Sequence, residues 1–521
     1  MRSLLKLIFV LIFSTGLSAQ NPSVDIEKYS FGIELSDNDD IISGTTDIHY
    51  KLRSATDSIV LDLVMMDEAG KGMKVDSILS GGKILKFKQY NEKLAIVNPQ
   101  DTSALKIYYH GVPKDGLIIS KNKYGDRTFF GDNWPNRAHN WLPVIDHPSD
   151  KAFVDFKVTV PSHYQVVANG RLKELSNLES GEVYYHYSSE VALPTKVMVI
   201  GVAEFAVQHL EEIQDIPVSS WVYRENKEAG FYDYAQAKKV LEYFIEKIGP
   251  YPYSKLANVQ STTRFGGMEN ASNIFYFENS VTGKRESEFL IAHEIAHQWF
   301  GDSASETDWS HLWLSEGFAT YLTDLYAEDT YGKAKLDEKL KDERDQVIAF
   351  SKKSNTPVVD SSRTNYIELL NANSYEKGAW TLHMLRRKIG DENFWSSIRQ
   401  YYQKYKLSNA STEDLKNVFE EVSGQDLDAF FRQWVLQYGH PVIKSDWSYK
   451  RKTIQLTIEQ LQENNFNFPL QIKFHYKDGT SEIKDLEISE KAENFEFRSD
   501  KKPVKIELDP ETNLLFEEAG A

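Results

Sequence analysis

The spacing of apolar residues changes twice along the chain, and this change constrains the fold more than any other feature of the sequence. Between residues 24 and 210, apolar and polar residues alternate in short runs separated by turn-forming residues. Between residues 228 and 437, apolar residues recur at helical spacing in segments that several times end at glycine. From residue 441 onward the alternation returns, with Asp478-Gly479 as a hairpin signal.

This pattern predicts a multidomain α+β protein. We expect an N-terminal antiparallel domain that resembles a β-sandwich over residues 20–212, a mainly helical domain over residues 213–440 and a small β domain over residues 441–521. Helices are predicted in the middle domain at residues 232–248, 286–300, 314–331, 379–389 and 394–405.

Residues 1–19 have the pattern of a secretory signal peptide. Arg2 and Lys6 lie before an apolar stretch at residues 7–13, and small or polar residues dominate from there to Ala19. The apolar stretch is too short to span a membrane as a helix, which takes about 20 residues. We therefore expect cleavage after Ala19, export to the periplasm or the extracellular medium, and no stable membrane anchor.

The residue composition excludes several kinds of site. The chain has no cysteine, so disulfides, thiolate-bound metals and thiol nucleophiles are excluded. Its 60 Lys and Arg residues against 77 Asp and Glu residues give a net charge of −17. Because binding to nucleic acid depends on positive charge, we do not expect a nucleic-acid partner.

Two histidines four residues apart predict a metal site in the helical region. In His293-Glu294-Ile295-Ala296-His297, the spacing places both imidazoles on one face of a helix, where they can reach one metal ion. Glu294 lies beside the first histidine and can address a water molecule on that metal. The flanking residues are largely apolar, as expected for a helix buried in a catalytic domain.

A catalytic zinc ion needs a third protein ligand and one open coordination position. Glu316 follows His297 by 19 positions and can supply that ligand if a second helix folds back toward the first. We therefore predict one Zn²⁺ per chain, held by His293, His297 and Glu316. His311 is expected to be structural, because a fourth protein ligand would close the site.

A short glycine-rich motif, Gly266-Gly267-Met268-Glu269-Asn270, comes shortly before the histidine motif, with Glu269 24 residues ahead of His293. Paired glycines let a backbone approach a ligand closely and leave a strand edge free for pairing. A carboxylate at the end of such a strand can bind a cationic group. Taken alone, however, a glycine pair before methionine is most often a turn.

Together the two motifs closely resemble one family, the gluzincin metallo-aminopeptidases of peptidase family M1. That family combines a Gly-x-Met-Glu-Asn strand, His-Glu-x-x-His and a glutamate after eighteen intervening residues, and all three occur here in that order. Segments at residues 141–151 and 437–441 are also similar to the family. The resemblance implies a thermolysin-like catalytic domain that hydrolyses the N-terminal residue from peptides with a free N-terminus.

The resemblance also implies a role for individual residues. Glu269 would grip the free α-amino group of the peptide. The other substrate-binding residues of this motif would be Gly266, Gly267, Met268 and Asn270. Tyr375, in a Tyr-Glu-Lys-Gly stretch, matches the tyrosine with which the family stabilises the developing oxyanion. A phenol suits that role, because it donates a hydrogen bond while it stays neutral.

The implied mechanism uses a zinc-activated water, with Glu294 as the general base that passes a proton to the leaving amine. Three alternatives remain open at this point. The first is an epoxide hydrolase with residual peptidase activity, and the second is a secreted peptide-binding protein on an inactive scaffold. The third is an endopeptidase. The oligomeric state is left open.

Two departures from the family pattern are visible in the sequence. Many members have Gln or Glu as a second amine contact ahead of the proline that corresponds to Pro143, whereas this chain has Trp134 there. Asp132 or Asn133 are the nearby residues that could replace this contact. In addition, only about 80 residues follow the helical region, so the large helical C-terminal domain common in the family is not expected.

Overall fold

The computed structural model describes residues 23–98 and 103–520. The predicted signal peptide at residues 1–19 lies outside them. Within the described residues, strands dominate up to residue 223, helices from residue 227 to 436, and strands again from residue 442. This arrangement confirms the predicted fold class. No helix in the described ranges combines the length and the apolarity needed to cross a bilayer.

The N-terminal part consists mainly of antiparallel sheets whose strands alternate buried with partly exposed residues. Its strands are β1 (Val24–Glu34), β2 (Ile42–Leu52), β3 (Ser58–Asp62), β4 (Gly72–Ser80), β5 (Lys83–Ile84), β6 (Phe87–Tyr90), β7 (Lys93–Val97), β8 (Ala104–Val112), β9 (Leu117–Lys121), β10 (Arg127–Gly131), β11 (Lys151–Pro161), β12 (Gln165–Ala168), β13 (Arg171–Asn177), β14 (Glu182–Ser188), β15 (Leu193–Pro194) and β16 (Ile200–Ala203).

The largest sheet of this part has the strand order β13-β14-β11-β1-β2-β8-β4-β5, with β15 beside β11. Two smaller sheets have the orders β12-β16-β10-β9 and β3-β7-β6. The β1–β11 pair is parallel, unlike the other pairs of the large sheet in the described residues. After the segment at residues 141–151, the chain therefore runs beside its first strand and in the same direction.

A mixed sheet begins the catalytic part and leads into its helices. The strands of this part are β17 (Phe205–His209), β18 (Val218–Tyr223), β19 (Leu256–Ser261), β20 (Gly267–Met268), β21 (Asn273–Phe277), β22 (Ala304–Glu306) and β23 (Ser408–Ala410). The mixed sheet has the order β17-β18-β19-β21-β20, which places β20 at its edge. The glycine-rich motif therefore lies on an edge strand, where one side of its backbone can pair with another chain.

The helices of the catalytic part follow. They are α1 (Lys227–Tyr234), α2 (Gln236–Lys247), α3 (Glu288–His297), α4 (Trp313–Tyr331), α5 (Lys333–Ser351), α6 (Glu376–Ile389), α7 (Asp391–Tyr405), α8 (Thr412–Ser423) and α9 (Asp428–Phe431). The helix predicted at residues 232–248 is divided into α1 and α2, and α3 ends at His297 rather than at residue 300. The other predicted helices lie at α4, α6 and α7, within a few residues of the expected ends.

The C-terminal part contains two sheets that enclose an apolar core. Its strands are β24 (Val442–Lys450), β25 (Thr453–Gln460), β26 (Phe468–Tyr476), β27 (Ser481–Ile488), β28 (Ala492–Arg498), β29 (Pro503–Leu508) and β30 (Glu517–Glu518). The sheets have the orders β28-β25-β24-β30 and β27-β26-β29, and the predicted hairpin joins β26 to β27. Leu336, Leu340 and Trp380 of α5 and α6 pack into the same core, so this part is anchored on the catalytic helices.

A buried ion pair ties the N-terminal sheets to the catalytic part. Lys196, just before β16, and Glu306, at the end of β22, lie 2.7 Å apart, and both side chains are inaccessible to solvent. Although burial acts to lower it, the charge of Glu306 raises the pKa of Lys196, so the lysine stays protonated. Nearby, the ammonium of Lys151 donates to the backbone oxygens of Asp302 and Ser303. These contacts fix the segment that follows the histidine helix.

Replacing Glu306 alone should destabilise the protein more than replacing both partners. Glu306→Leu leaves the Lys196 charge buried without its partner, and we expect the free energy of unfolding to fall by about 3–5 kcal/mol. The double variant Lys196→Met/Glu306→Leu removes both charges and should lose much less. Urea denaturation followed by tryptophan fluorescence measures the difference. Equal free energies of unfolding for the single and double variants would show that the buried charge of Lys196 does not need Glu306 as its partner.

Candidate active site

Three helices bring the predicted metal ligands and Tyr375 to one cavity. His293 and His297 lie on α3, and His297 is its last residue. Glu316 lies in the first turn of α4, where a carboxylate is favoured by the positive end of the helix dipole. Tyr375 is the residue immediately before α6. The cavity is lined by Trp134, Phe265, Gly267, Met268, Glu269, His293, Glu294, His297, Glu316, Leu370 and Tyr375.

The approach of α4 to α6 depends on two glycines. A Cβ atom on Gly317 would lie 2.9 Å from the Cα atom of Gly378, and a Cβ atom on Gly378 would lie equally close to Gly317. Any larger residue at either position would push the helices apart. Because Gly317 follows Glu316 and Gly378 comes three residues after Tyr375, this contact sets the distance between the two functional side chains.

The three predicted ligands present their donor atoms to one point. His293 Nε2 and His297 Nε2 are 3.1 Å apart, and Glu316 Oε2 lies 3.4 Å from the first and 3.1 Å from the second. Ligands at about 2.0–2.1 Å from a tetrahedral zinc ion lie about 3.3 Å from one another. The triad therefore has the spacing that a zinc ion requires. His293 remains partly exposed on the cavity side, with a side-chain exposure of 19%.

The charges around His297 also fit a cation. Glu269, Glu294 and Glu316 surround this imidazole, and each is 4% exposed or less. Although burial alone would lower it, these three carboxylates raise the pKa of His297 to about 10. Burial acts to raise the pKa of Glu316, but His297 and His293 lower it. This surplus of buried negative charge is what a divalent cation would balance.

The ring of His297 is oriented from its other nitrogen. Ser315 Oγ lies 3.0 Å from His297 Nδ1, and the backbone oxygen of Phe300 lies 3.3 Å from the same atom. Such contacts fix the ring of a metal-binding histidine and leave Nε2 free for the metal.

The carboxylate of Glu294 lies against the glycine-rich strand. A Cβ atom at Gly267 would be 2.1 Å from Glu294 Oε1, so the missing side chain makes the space in which this carboxylate lies. Burial raises the pKa of Glu294 well above its ordinary range, and the charges of Glu269 and Glu316 act in the same direction. A carboxylate with a raised pKa holds a proton more firmly than an ordinary one, which suits a group that carries a proton from one atom to another.

Glu269 also lines the cavity. Its backbone oxygen accepts a hydrogen bond of 2.6 Å from Nε2 of Gln298, which ties the end of β20 to the end of α3. Its side-chain Oε1 is buried and has no hydrogen-bond partner. Burial raises the pKa of Glu269, while the positive charges of His297 and Lys196 oppose that rise. An unpartnered buried carboxylate oxygen that lines a cavity is a candidate acceptor for a cationic ligand.

Tyr375 faces the metal ligands from α6. Its ring stacks on that of His293, with centroids 6.0 Å apart and planes 9° from parallel. Burial and the charges of Glu316 and Glu269 raise the pKa of Tyr375 well above its usual value. The phenol is therefore protonated at neutral pH and can act as a hydrogen-bond donor.

Apolar side chains form part of the cavity wall, and the sequence does not point to all of them. Trp134, Phe265 and Leu370 lie in this wall beside Met268. Trp134 packs edge-on against Trp309, with ring centroids 5.9 Å apart. Phe265 could have been found from its place beside the glycine pair, whereas no local signal marks Leu370.

The structure places Asp132 and Asn133 away from the cavity, so neither replaces the second amine contact. Asp132 pairs with Arg137, and Asn133 donates to the backbone oxygens of Thr195 and Met198. Trp134 occupies the cavity wall instead. Among the described carboxylates lining the cavity, Glu269 is the one that is neither a predicted metal ligand nor the predicted general base.

Gly266, Asn270 and His311 lie outside this cavity. Gly266 lines a neighbouring groove. Asn270 is fully buried, and its side-chain amide has no hydrogen-bond partner. His311 contacts Thr412, with 2.9 Å between Nδ1 and Oγ1, and does not reach the metal ligands.

Two family models match the chain. The model described as "Peptidase family M1 domain" matches residues 232–434, and the one described as "Peptidase M1 N-terminal domain" matches residues 26–197. The histidine motif, Glu316 and Tyr375 lie within the first match. The two matches together cover most of the chain and leave the C-terminal β part outside.

Similar proteins carry aminopeptidase or metallopeptidase names. "Probable aminopeptidase 2" from Sulfurisphaera tokodaii is 27% identical over 515 residues, which cover 93% of this chain and 63% of the relative. The M1 zinc metallopeptidase structure from Deinococcus radiodurans is 25% identical, has a TM-score of 0.69, and is matched over 80% of this chain and 95% of its own.

Aminopeptidase A from Legionella pneumophila, solved with aspartic acid, shares the fold with a TM-score of 0.82 at 16% identity. That match covers 96% of this chain and 60% of the Legionella chain. The chain thus spans less than two thirds of the length of the Sulfurisphaera and Legionella proteins.

Removal of a predicted ligand should remove the metal. We expect the purified protein to hold about one zinc ion per chain, and His293→Ala, His297→Ala and Glu316→Ala each to hold less than about 0.1. His311→Ala is the matched control and should keep its zinc, because His311 lies outside the cavity. Elemental analysis after dialysis measures the content, and circular dichroism checks the fold. Zinc retained by the three ligand variants would contradict the assignment.

Proposed function

Because the chain belongs to peptidase family M1, we propose that it is a zinc-dependent aminopeptidase that hydrolyses the bond after the N-terminal residue of a peptide. The observation that carries this proposal is the unpartnered Oε1 atom of buried Glu269, in the same cavity as the His293, His297 and Glu316 triad. A peptide α-ammonium gives that carboxylate a charged partner. The relatives' aminopeptidase names agree with this proposal.

The distance from Glu269 to the catalytic groups supports a cut one residue from the end. Ligand atoms of Glu269, Glu294 and His297 all lie within 4.8 Å of one another. One extended residue spans about 3.5 Å. An ammonium held by Glu269 therefore leaves room for a single residue before the scissile carbonyl.

The edge of β20 supports the alignment of the peptide. Gly267 and Met268 pair with β21 on one side only, so their other side is free to accept a further extended segment. Peptide recognition at a sheet edge uses main-chain hydrogen bonds and is tolerant of side-chain identity. The substrate backbone would be held there while Glu269 holds its amine.

The catalytic roles divide between the metal and two side chains. Zinc bound by the triad would supply Lewis-acid polarisation of the scissile carbonyl and a water of lowered pKa. The carboxylate of Glu294 takes a proton from the attacking water and delivers it to the leaving nitrogen. The absence of a side chain on Gly267 leaves the space in which this carboxylate is positioned. Tyr375 donates a hydrogen bond from its hydroxyl to the carbonyl oxygen as negative charge develops there.

The alternative functions gain no separate observation. Glu294 and Tyr375 are both present beside the metal ligands, which an inactive peptide-binding scaffold would not need. An endopeptidase would have no need of an unpartnered buried carboxylate beside the metal ligands, whereas Glu269 supplies one. Hydrolysis of aminoacyl anilides separates the aminopeptidase from an epoxide hydrolase.

Glu294→Gln should retain zinc and lose turnover. The substitution keeps the size of the side chain but removes the proton acceptor, and we expect kcat to fall about 1,000-fold on an aminoacyl anilide. Glu288→Gln, on the same helix and outside the cavity, is the control and should retain most activity. Undiminished turnover of Glu294→Gln with its zinc in place would remove the general-base assignment.

Glu269→Gln tests the amine anchor. The amide preserves the shape of the side chain but lacks the charge, so kcat/KM for a free-amine substrate should fall about 100-fold. The same substrate with an acetylated amine carries no charge to bind, and its much slower hydrolysis should change little. A fall of equal size for both substrates would contradict the anchor role of Glu269.

We propose further that the protein is exported through the predicted signal peptide at residues 1–19, which lie outside the described residues. Cleavage after Ala19 would leave Gln20 as the first residue of the mature protein. Mass spectrometry of the protein recovered from the periplasm or medium of expressing bacteria should give this terminus. An intact Met1 on protein that remains in the cytoplasm would contradict the proposal.

A further inference from the structure

A second groove continues from the catalytic cavity on the side opposite Glu269. It has a volume of about 430 Å³. It shares Phe265, Gly267, His293, Glu294 and Tyr375 with the cavity. The residues found only in the groove are Gly266, Phe289, Leu290, Thr320, Thr323 and Lys339. The catalytic groups therefore lie at the junction, with a small cavity on one side and a larger groove on the other.

This arrangement assigns the groove to the part of the substrate that leaves. In the proposed function the N-terminal residue lies in the cavity between Glu269 and Glu294. The chain after the scissile bond must then extend past Glu294 and Tyr375 into the groove. The volumes agree with this direction, because the cavity encloses about 60 Å³ and the groove several times more.

Lys339 is held in the groove wall by contacts from behind. Its Nζ lies 3.0 Å from Oδ1 of Asp324, a fully buried carboxylate on α4. The ammonium also lies 5.3 Å from the ring centroid of Phe289. The side chain remains 21% exposed. An ammonium has three N–H donors. Its contact with Asp324 is an ion pair, because neither carboxylate oxygen of Asp324 accepts a hydrogen bond from the described residues.

Lys339 is the one Lys or Arg among the described residues that line the cavity and the groove. The cavity that adjoins the groove carries the carboxylates of Glu269, Glu294 and Glu316, and Glu294 also lines the groove. Those carboxylates repel a negatively charged group, so a substrate carboxylate needs a positive partner in the groove. Lys339 is a positive group already positioned by Asp324, so little ordering is needed when a ligand binds.

We propose that Lys339 binds a carboxylate on the leaving side of the substrate and so favours peptides that carry one close to the scissile bond. This rests on the proposed aminopeptidase function. The carboxylate has two sources, the C-terminal group of a dipeptide and the side chain of an acidic residue after the scissile bond. The preferred substrates are therefore short peptides or peptides with Asp or Glu as their second residue.

The wild-type protein provides the first test. Two pairs of substrates are compared, and all four begin with the same residue, the one whose anilide is hydrolysed fastest. One pair is a dipeptide ending in leucine and its C-terminal amide, and the other is a dipeptide amide with aspartate or asparagine as its second residue. The carboxylate member of at least one pair should have a kcat/KM about two- to fivefold higher, as for a partly exposed ion pair. The pair that shows the preference identifies the source of the carboxylate.

Variants of Lys339 provide the second test. Lys339→Met removes the charge and should reduce the preference to about one, whereas Lys339→Arg keeps a cation and should keep it. Lys335→Met is the matched control: Lys335 lies on the same helix, contacts Glu338 and does not line the groove. It should leave the preference unchanged. If Lys339→Met fails to fold, the wild-type pairs and Lys339→Arg still decide.

Two results would overturn the assignment of Lys339. One is the absence of a preference in both wild-type pairs, and the other is an unchanged preference in folded Lys339→Met. The aminoacyl anilide carries no carboxylate, so its hydrolysis tests the proposed function separately. Hydrolysis of the anilide without any carboxylate preference removes only the role of Lys339. Absence of all hydrolysis overturns both proposals.

Discussion

Negative charge buried around His297 is the constraint on which the rest of the site depends. Glu269, Glu294 and Glu316 are each nearly inaccessible to solvent, yet they lie close to one another around this imidazole. Buried carboxylates are stable only with positive partners. In the proposed function, a zinc ion on the triad and a substrate ammonium on Glu269 would supply these partners. Metal binding and substrate binding would then offset the same electrostatic cost. The Gly317–Gly378 contact and the pairing of Lys196 with Glu306 hold the surrounding elements in place.

The two sides of the catalytic groups differ in shape and charge. On one side, Glu269 and apolar residues that include Trp134 line a small cavity. On the other side, the groove is larger and carries Lys339. If Glu269 and Lys339 act as proposed, a peptide with a free amine has one favourable direction, with its positive end toward Glu269 and any nearby carboxylate toward Lys339. This asymmetry would restrict cleavage to the first peptide bond.

Features encoded by local spacing could be predicted from the sequence, whereas contacts between distant segments could not. The histidine pair on α3 follows from helical periodicity, and Glu316 follows from the need for a third ligand. The spacing of apolar residues does not predict α5 or α8. In α5 only a sparse row of apolar residues is buried, which includes Leu336, Leu340 and Val347. At α8 the local signal is a capping box formed by Ser411 and Asp414. Trp134 and Lys339 reach the site only through tertiary packing, as does the Lys196–Glu306 pair. The roles of the individual site residues remain predictions.

The product sequence of an unblocked peptide tests the central claim most directly. A peptide of about eight residues, incubated with the zinc-loaded protein and sampled by mass spectrometry, should lose one residue at a time from its N-terminus. Early samples should contain the free first amino acid and the peptide shortened by that residue. Early fragments that result from cleavage of an internal bond would contradict the account, because Glu269 could not then fix the position of the cut.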